Sequence, residues 1–412
     1  MNKPQMHYPS FFGFLLFAVA ALLLFALGLL LGFSALFVYL NQGSVDVQTA
    51  VYTATIFFLA TLLGIASVNS LLRVLNKQAA SVPVSTSFGC WKIAAGVTGA
   101  GLALLIGHLV QDNASINWLA LPLLTIPAVA LPIWTITGLG ARDLSLGSRW
   151  RTWSAFGISL TVTPFILFML EVLVAIAILI FVVIYAVANP DVAAEFERLS
   201  TQFASIDLES EEAIRLIIPY LTRPGVIILV TIFFSVIIPL MEELIKPLAV
   251  WLLAGRLDSA AQGFAVGALG GAGFALVETL NVSGQITEWG LLLFTRIGTG
   301  LLHIATSAIM GAAIYMAVRE RRYLRLLGTY LLAVLLHGLW NASAITVSFS
   351  ALAVTYSQAD GYASLQWIST IGLILLAIVL LTLLVASNRK LQKTMPVSLP
   401  EDAPAAQIDT NL

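Results

Sequence analysis

Long apolar runs separated by short polar connections make up most of this chain. The runs lack the every-second-residue alternation of barrel strands, and most reach the roughly 20 residues that a helix needs to cross a bilayer. The pattern predicts an all-α protein, a polytopic membrane helix bundle with about ten transmembrane helices. The predicted spans are residues 11–40, 50–75, 91–110, 116–139, 154–188, 226–254, 260–282, 289–318, 323–348 and 364–388.

The sixth span carries charge inside its apolar run. The stretch PLMEELIKPLAVWLL, residues 239–253, contains Glu242, Glu243 and Lys246. A charged side chain at the centre of a membrane helix costs about 2.5–3.5 kcal/mol, so three of them must pair or line a wet cavity. On a helix Lys246 lies four residues after Glu242 and three after Glu243, within reach of both. An ion pair that only fixes packing explains one carboxylate, and the second favours a functional site.

The seventh span combines a glycine stripe with a further carboxylate. Gly263, Gly267 and Gly271 recur at four-residue spacing, which lets a neighbouring helix backbone approach closely. Phe274 and Glu278 follow, four residues apart on one helical face. We interpret the glycines as a packing surface and Glu278 as a second acidic position. The helical rise places Glu278 several ångströms nearer the outside than the other polar groups.

The next two spans add imidazole, guanidinium and amide groups. Arg296 and His303 lie on one stripe of span eight, and His337 and Asn341 share a face of span nine. A lone buried histidine is more often a packing residue than a ligand or a base. Polar groups on four successive spans must nevertheless find each other, because lipid offers no partners. In the first five spans Glu171 stands out, either as a protonated structural residue or as part of a wet cavity.

Composition supports a membrane class and excludes others. The 412 residues are 59% hydrophobic and 10% charged, whereas soluble domains have about 25% charged residues. A net charge of −1 argues against a nucleic-acid partner. The single cysteine, Cys90, excludes an internal disulfide framework and a thiolate metal site. The first apolar run is too long for a signal-peptide core, so we expect it to be a retained helix.

Basic residues predict the orientation. Fifteen of the 20 Lys and Arg residues fall in alternate connections or at the chain ends, and Arg198, Arg215 and Arg223 fall in the opposite connections. Both termini are therefore predicted to be cytoplasmic. The chain divides into a five-span region of unknown role (1–190), an acidic extracytoplasmic segment with an amphipathic helix (191–225), a polar core (226–348), a last span (349–388) and a disordered cytoplasmic tail (389–412).

Three kinds of chemistry are open to the polar core. A carboxylate can take a proton from water that attacks a carbonyl carbon, while histidine and amide groups stabilise the oxyanion. Histidines and glutamates can instead bind a divalent metal, although no His-Glu-x-x-His zinc motif is present. Chains of glutamate and histidine also carry protons or ions through transporters.

The order of these residues resembles the PrsW family of membrane proteases. It is also similar to that of the prenyl-protein (CAAX) endoproteases and bacteriocin-processing relatives, which carry Glu-Glu-x-x-x-Arg, Phe-x-x-x-His and His-x-x-x-Asn or Asp. The resemblance covers residues 226–348 and marks them as a peptidase core. Its motifs here are Glu242-Glu243-x-x-Lys246, Phe274-x-x-x-Glu278, His303 in the next span, and His337-x-x-x-Asn341.

The resemblance implies a role for the acidic motif residues. Glu242 would be the water-activating carboxylate, and Glu243 would hold a second position in the site. Lys246 stands where the CAAX enzymes carry arginine. Glu278 stands where they carry a histidine that positions the water, so a glutamate pair must share a proton or bind a cation here.

The later motifs complete the implied site. His337 and Asn341 would form the oxyanion site, and His303 fits the PrsW pattern and is the candidate to replace the missing histidine. Phe274 and Arg296 are supporting residues. No cofactor is expected for a glutamic mechanism. The alternative is zinc or another divalent metal, held by Glu242, Glu278, His303 and His337.

The leading hypothesis is an intramembrane endopeptidase that cleaves a membrane-anchored protein through glutamate-activated water. An anti-sigma factor is one substrate that the resemblance implies. The expected location is a bacterial plasma membrane, with the lipid bilayer and the protein substrate as partners. A non-catalytic scaffold, similar to the scaffold subunit of gamma-secretase in the same superfamily, is the first alternative. A transporter is the second, and it predicts a repeat between the two halves.

Overall fold

A computed structural model of the chain defines the fold. It describes residues 7–43, 45–75, 83–85, 87–207, 210–284, 288–357 and 361–394. The tail predicted to be disordered, residues 389–412, lies outside the described residues from residue 395 onward.

Helices account for almost all of the described residues. The first half contains α1 (Tyr8–Gln42), α2 (Val47–Val74), α3 (Cys90–Val110), α4 (Asn117–Gly140), α5 (Arg149–Leu160) and α6 (Val162–Ala188). The acidic segment contains α7 (Pro190–Phe203) and α8 (Glu211–Leu221). The second half contains α9 (Pro224–Ile232), α10 (Ile238–Ile245), α11 (Leu248–Leu253), α12 (Ala260–Val282), α13 (Trp289–Glu320), α14 (Tyr323–Ser357) and α15 (Gly361–Gln392). Two short strands, β1 (Pro83–Ser85) and β2 (Ser145–Ser148), pair antiparallel, which the hydropathy pattern did not predict.

Within the described part of the chain, ten helical segments are long and apolar enough to cross a membrane, which confirms the predicted bundle. Each overlaps one predicted span. The cytoplasmic location of both termini stays a prediction from the charges. The segments are Tyr8–Asn41, Val47–Val74, Cys90–Val110, Asn117–Gly140, Arg149–Ala188, Pro224–Arg256, Ala260–Val282, Trp289–Glu320, Tyr323–Tyr356 and Gly361–Gln392.

Helices α12 and α13 form the buried centre of the bundle. In the most apolar window of each, 83% of the residues are buried, against 44% or less in the other eight segments. The glycine stripe is the cause. A Cβ atom on Gly267 would lie 2.2 Å from the carbonyl oxygen of Ser307, and one on Gly271 would lie 2.2 Å from that of His303. The two antiparallel backbones are therefore in direct contact, as small residues permit.

The sixth span is interrupted near both of its prolines. A π-helical turn, Phe233–Ile237, ends just before Pro239, and α10 stops before Pro247. Proline lacks a backbone N–H and crowds the carbonyl one turn earlier, so the helix changes course at such points. Asn341 on α14 donates a hydrogen bond from Nδ2 to the Phe234 carbonyl oxygen at 2.7 Å. The charged motif thus lies on a short helix between two breaks, with a side-chain bond to α14.

The acidic segment contains two helices. The amphipathic helix predicted there is α8, whose Ser210 cap accepts a hydrogen bond from the Ala213 N–H at 3.2 Å. Arg223, just before α9, donates two hydrogen bonds of 2.8 and 2.5 Å to Glu195 on α7. These bonds lower the pKa of Glu195, because they stabilise its charged form. The pair ties α7 to the start of the sixth span.

The first five spans surround one side of the centre. Helix α1 packs against α2 and α3 packs against α4, while α4 and α5 contact α12 directly. Helix α6 contacts both α10 and α12. The fifth span therefore reaches the elements that carry the charged motif and Glu278.

Candidate active site

Lys246 lies at the centre of a buried charged cluster. Its side chain is fully buried, and its ammonium group hydrogen-bonds directly to Oε1 of Glu243. Lys246 Nζ is 3.6 Å from Glu242 Oε2, which confirms the predicted pairing with both carboxylates. The same Nζ is 2.8 Å from Nδ1 of His303 and 3.5 Å from Nδ1 of His337. One cation therefore joins four site residues from α10, α13 and α14.

Glu243 orients the imidazole of His337. Its Oε1 is 2.8 Å from His337 Nδ1, and both side chains are almost fully buried. Because Glu243 is paired with Lys246 and acts as an acceptor, we assign the ring proton of His337 to Nδ1, which leaves Nε2 as an acceptor. That Nε2 faces Glu242 Oε2 at 3.9 Å. Two acceptors thus face each other across a gap that suits a shared proton donor or a cation.

Glu242 presents a carboxylate oxygen that accepts no hydrogen bond from the described residues, although it pairs with the Lys246 ammonium across 3.6 Å. The residue is 7% exposed, and its Oε2 has no hydrogen-bond partner among the described residues. An unsatisfied buried acceptor costs about 1–3 kcal/mol, so such atoms require an explanation. A group that binds or activates a ligand supplies one, because its partner arrives with the ligand.

Glu278 joins α12 to α13 in spite of its predicted height. Its Oε2 is 2.6 Å from His303 Nε2, and its Oε1 is 2.7 Å from Arg296 Nη2. Side chains lean towards the N terminus of their own helix, and α12 and α13 are antiparallel, so Glu278 and His303 lean towards each other. The opposite directions of the two side chains bridge the difference in height that the helical rise alone predicts for Glu278. His303 therefore accepts from Lys246 at Nδ1 and donates to Glu278 from Nε2.

The remaining predicted residues support this cluster. The ring of Phe274 packs edge-on against His303 with centroids 5.0 Å apart, and Lys246 Nζ lies 5.7 Å from the same ring centroid. The His303 and His337 rings are 5.4 Å apart. Asn341 uses one amide N–H for its backbone bond to the π-helical turn, and the second stays available to the adjoining cavity.

A cavity of about 330 Å³ opens onto the cluster. At about 30 Å³ per water molecule it has room for roughly ten waters. Glu171 on α6 lines it, as the cavity interpretation of this residue predicts. Its other polar lining residues are Glu242, Glu278, Arg296, Thr299, His303, His337 and Asn341.

Apolar side chains complete the cavity wall. They include Phe234 and Ile238 of the broken sixth span and Trp340, Ala344 and Ile345 of α14. Nothing in the sequence distinguishes them, because an apolar residue inside an apolar span carries no local signal of what it faces. Their positions follow from the break before Pro239 and from the packing of α14 against it.

Glu242, His303 and His337 form the group best suited to a metal ion. One ligand atom from each lies within 4.8 Å of the others, and all three residues are buried. Two histidines and one carboxylate form a ligand set of catalytic zinc sites, and the bond from Glu243 to His337 is the kind that orients a metal-bound histidine. The donor set therefore fits one divalent ion. Glu278, the fourth predicted ligand, is outside this group and binds His303 instead.

Comparison with known protein families gives one match. The model of the "PrsW family intramembrane metalloprotease" matches residues 164–383, which is more than half of the chain. The match begins in α6, so it includes Glu171, and it ends in α15. It is wider than the stretch 226–348 that carries the motifs. No curated protein and no solved structure shows a significant match.

Proposed function

Because the chain belongs to the PrsW family of intramembrane metalloproteases, we propose that it is an endopeptidase that hydrolyses a peptide bond of a membrane-anchored protein. In this proposal Glu242 of the enzyme activates the attacking water. The observation that carries this proposal is the pair of facing acceptors in the cavity, Glu242 Oε2 and His337 Nε2, 3.9 Å apart. A water molecule between them would donate one hydrogen to each and point a lone pair into the cavity.

In the proposed reaction Glu242 accepts a proton from this water while the water oxygen attacks the carbonyl carbon of the substrate. Glu242 then delivers the proton to the amide nitrogen as the C–N bond breaks, which yields a carboxylic acid and an amine. Glu243 accepts the Nδ1 hydrogen of His337 and so holds the ring in the tautomer whose Nε2 receives the second water hydrogen. The free N–H of Asn341 is the candidate donor to the developing oxyanion.

The proposed role of His337 differs from the role that the family resemblance implies. The resemblance implies that His337 and Asn341 together stabilise the oxyanion, which requires a proton on the ring nitrogen that faces the cavity. The nitrogen that faces the cavity is Nε2, whereas the hydrogen bond to Glu243 supports a proton on Nδ1. We therefore propose that His337 positions the water, and that Asn341 alone acts as the amide donor.

The family also implies a metal ion, and the residues fit one. Glu242, His303 and His337 would hold it, and the ion would polarise the scissile carbonyl and acidify a water. In that case Glu243 still orients His337. His303 would exchange one of its present bonds, to Lys246 or to Glu278, for the ion. Metal analysis of the purified protein, with chelator added during cleavage, separates the metal-dependent from the glutamic mechanism.

For the biological substrate we propose a membrane-anchored regulator of the anti-sigma type, cleaved in a bacterial plasma membrane. Family membership supports a membrane-protein substrate, and the buried position of the cluster supports cleavage within the bilayer. A scaffold would need no unsatisfied carboxylate beside a cavity, and a transporter would distribute its polar groups over both halves of the chain.

The decisive experiment is Glu242→Gln in the full chain reconstituted into liposomes with a membrane-anchored substrate. Glutamine keeps the size of the side chain but cannot take the proton, so we expect cleavage to fall at least about 10²-fold. Glu195→Gln, which alters a carboxylate of the surface segment, is the matched control and should cleave normally. Cleavage by Glu242→Gln at the wild-type rate would refute the assignment.

A further inference from the structure

Glu171 is a carboxylate of the cavity that has no role in the proposed hydrolysis. It lies on α6, in the fifth span, and it lines the cavity together with Glu242 and Glu278. Among the described residues no hydrogen bond or ion pair engages its carboxylate. It is half-buried and lies at the cavity wall rather than in the packed core. An acidic group in this position needs a partner that the resting protein does not provide.

The charges around the cavity do not balance. Three carboxylates line it, and Arg296 is the one permanently charged cation among the lining residues. Arg296 is engaged by Glu278 at 2.7 Å. Lys246 lies behind the wall, where Glu243 engages it directly and Glu242 Oε2 lies 3.6 Å from its Nζ. The carboxylates of the cavity and of the wall behind it therefore outnumber these two cations, and Glu171 is the lining carboxylate that neither cation pairs with. Low-dielectric walls strengthen the attraction of such a cavity for a positively charged guest.

A single metal ion does not account for Glu171. The group whose ligand atoms lie within 4.8 Å of one another contains Glu242, His303 and His337, and it does not contain Glu171. A cation paired with Glu171 would therefore occupy a part of the cavity separate from this group. Glu242 Oε2, buried and without a hydrogen-bond partner, marks where the scissile bond must come. A side chain that neighbours this bond in the substrate then shares the cavity of about 330 Å³ with Glu171.

We propose that Glu171 is a specificity-determining residue, and that it binds a lysine or arginine side chain of the membrane-anchored substrate close to the scissile bond. The inference rests on the proposed function. Lysine and arginine carry their charge on long flexible stems, so either can reach a carboxylate across the cavity while its backbone lies at the cluster. Basic residues are rare inside membrane spans, so this pairing discriminates strongly between membrane segments.

The first test finds cleavage sites without assuming a substrate. Membranes from cells that produce the full chain are compared with membranes from cells that produce Glu242→Gln, and new protein N termini are identified by mass spectrometry. We expect the sites that require Glu242 to carry Lys or Arg within a few residues of the cut. Sites that lack such a residue overturn the inference but support the proposed function. A complete absence of sites that require Glu242 overturns the proposed function itself.

The second test is a double-mutant cycle on one substrate from the first test. Replacing its basic residue by Met, with the wild-type enzyme, should lower kcat/KM about 10–100-fold, equivalent to about 1.4–2.8 kcal/mol. Glu171→Gln should lower cleavage of the unchanged substrate by a similar factor, and the two changes together should cost no more than either alone. The substrate arm needs no change in the enzyme, so it is informative even if Glu171→Gln fails to fold.

A charge reversal completes the design. Glu171→Lys should prefer the substrate whose basic residue is replaced by Glu over the original substrate. Glu195→Gln, on the exposed α7, is the control and should keep the original preference. If Glu171 has only a structural role, Glu171→Gln lowers cleavage of the basic and the neutral substrate equally, and the cycle shows no coupling. That outcome refutes the inference and leaves the catalytic assignment intact.

Discussion

Replacing Gly271 by alanine is expected to damage the site without touching any charged group. A Cβ atom at this position would lie 2.2 Å from the carbonyl oxygen of His303, 2.8 Å from its carbonyl carbon and 2.9 Å from the Cα of Ile304. Contacts below 3.0 Å essentially never occur for a real Cβ atom. The oxygen contact alone therefore requires α12 and α13 to separate by at least 0.8 Å, the difference between 3.0 and 2.2 Å.

The separation falls at the residue that bridges Lys246 and Glu278. His303 holds these two partners at 2.8 and 2.6 Å, so a shift of about 1 Å lengthens at least one bond beyond hydrogen-bonding range. Misplacing a reactive group by about 1 Å can cost about 10²-fold in rate. Overpacking of a tight helix contact costs about 1–3 kcal/mol in stability. Gly271→Ala should therefore lower kcat about 10²-fold and reduce the thermal unfolding midpoint.

Gly270→Ala on the same helix is the matched control. Its added Cβ would meet Ser159 Oγ at 3.4 Å and the Lys246 carbonyl oxygen at 3.5 Å, which are ordinary van der Waals distances. Both variants are compared in detergent by cleavage rate and by thermal unfolding. Wild-type cleavage by Gly271→Ala, or an equal loss in Gly270→Ala, would show that the glycine contact does not position His303.

Two further predictions concern charged pairs. Lys246→Met leaves Glu243 buried without its cation, and breaking a buried pair costs about 3–5 kcal/mol. The thermal unfolding midpoint of Lys246→Met should therefore fall well below that of the control Lys393→Met, which changes an exposed lysine. Equal midpoints for the two variants would contradict this prediction. Arg223→Gln should raise the pKa of Glu195 towards its ordinary value, measured by carboxyl ¹³C titration, while cleavage stays normal. Because the folded-state pKa of Glu195 is lowered, the stabilisation from this pair is present above the ordinary carboxylate pKa and is lost as pH falls through the lowered value. If Glu195 titrates in the Arg223→Gln variant as it does in the unchanged protein, the two hydrogen bonds do not form in solution.

Lys246 connects the two mechanisms considered for this family member. Its ammonium group contacts Glu243, lies near Glu242, and faces Nδ1 of both histidines. An internal cation in this position already satisfies part of the negative charge that a metal ion would neutralise. It also favours the acceptor state of Nδ1 in His303, which holds that ring between Lys246 and Glu278. Metal analysis of the purified protein therefore shows whether an ion is bound in addition to this internal cation.

The motif residues were predictable because charge inside an apolar span is conspicuous. Glu242, Glu243, Lys246, Glu278 and the two site histidines were all singled out from their spans, and the structure places them in one cluster. Spacing also predicted that Lys246 reaches both neighbouring carboxylates, since i+3 and i+4 contacts are local to one helix. Contacts between helices were not predictable in the same way. The bond from Glu278 to His303 depends on the opposite leans of side chains on antiparallel helices, and a height counted from the helical rise omits it.

The amino-acid sequence by itself determined a bundle of apolar helices with most of its polar chemistry in the second half, and ten of the described helices are long and apolar enough to cross a membrane. The reason is that insertion of a helix into the bilayer depends on the summed hydropathy of about 20 consecutive residues, which is a local property of the sequence. A polar residue within such a run is therefore recognised from the sequence alone. Only the tertiary structure decided that Glu242 Oε2 accepts no hydrogen bond from the described residues, that His337 Nε2 faces this oxygen, and that Glu171 shares the cavity with Glu242. These features depend on the relative positions of α6, α10, α12, α13 and α14. The breaks near Pro239 and Pro247 set the position of α10, and the glycine contact sets that of α12 against α13. Such positions depend on packing between distant segments, which no local spacing encodes.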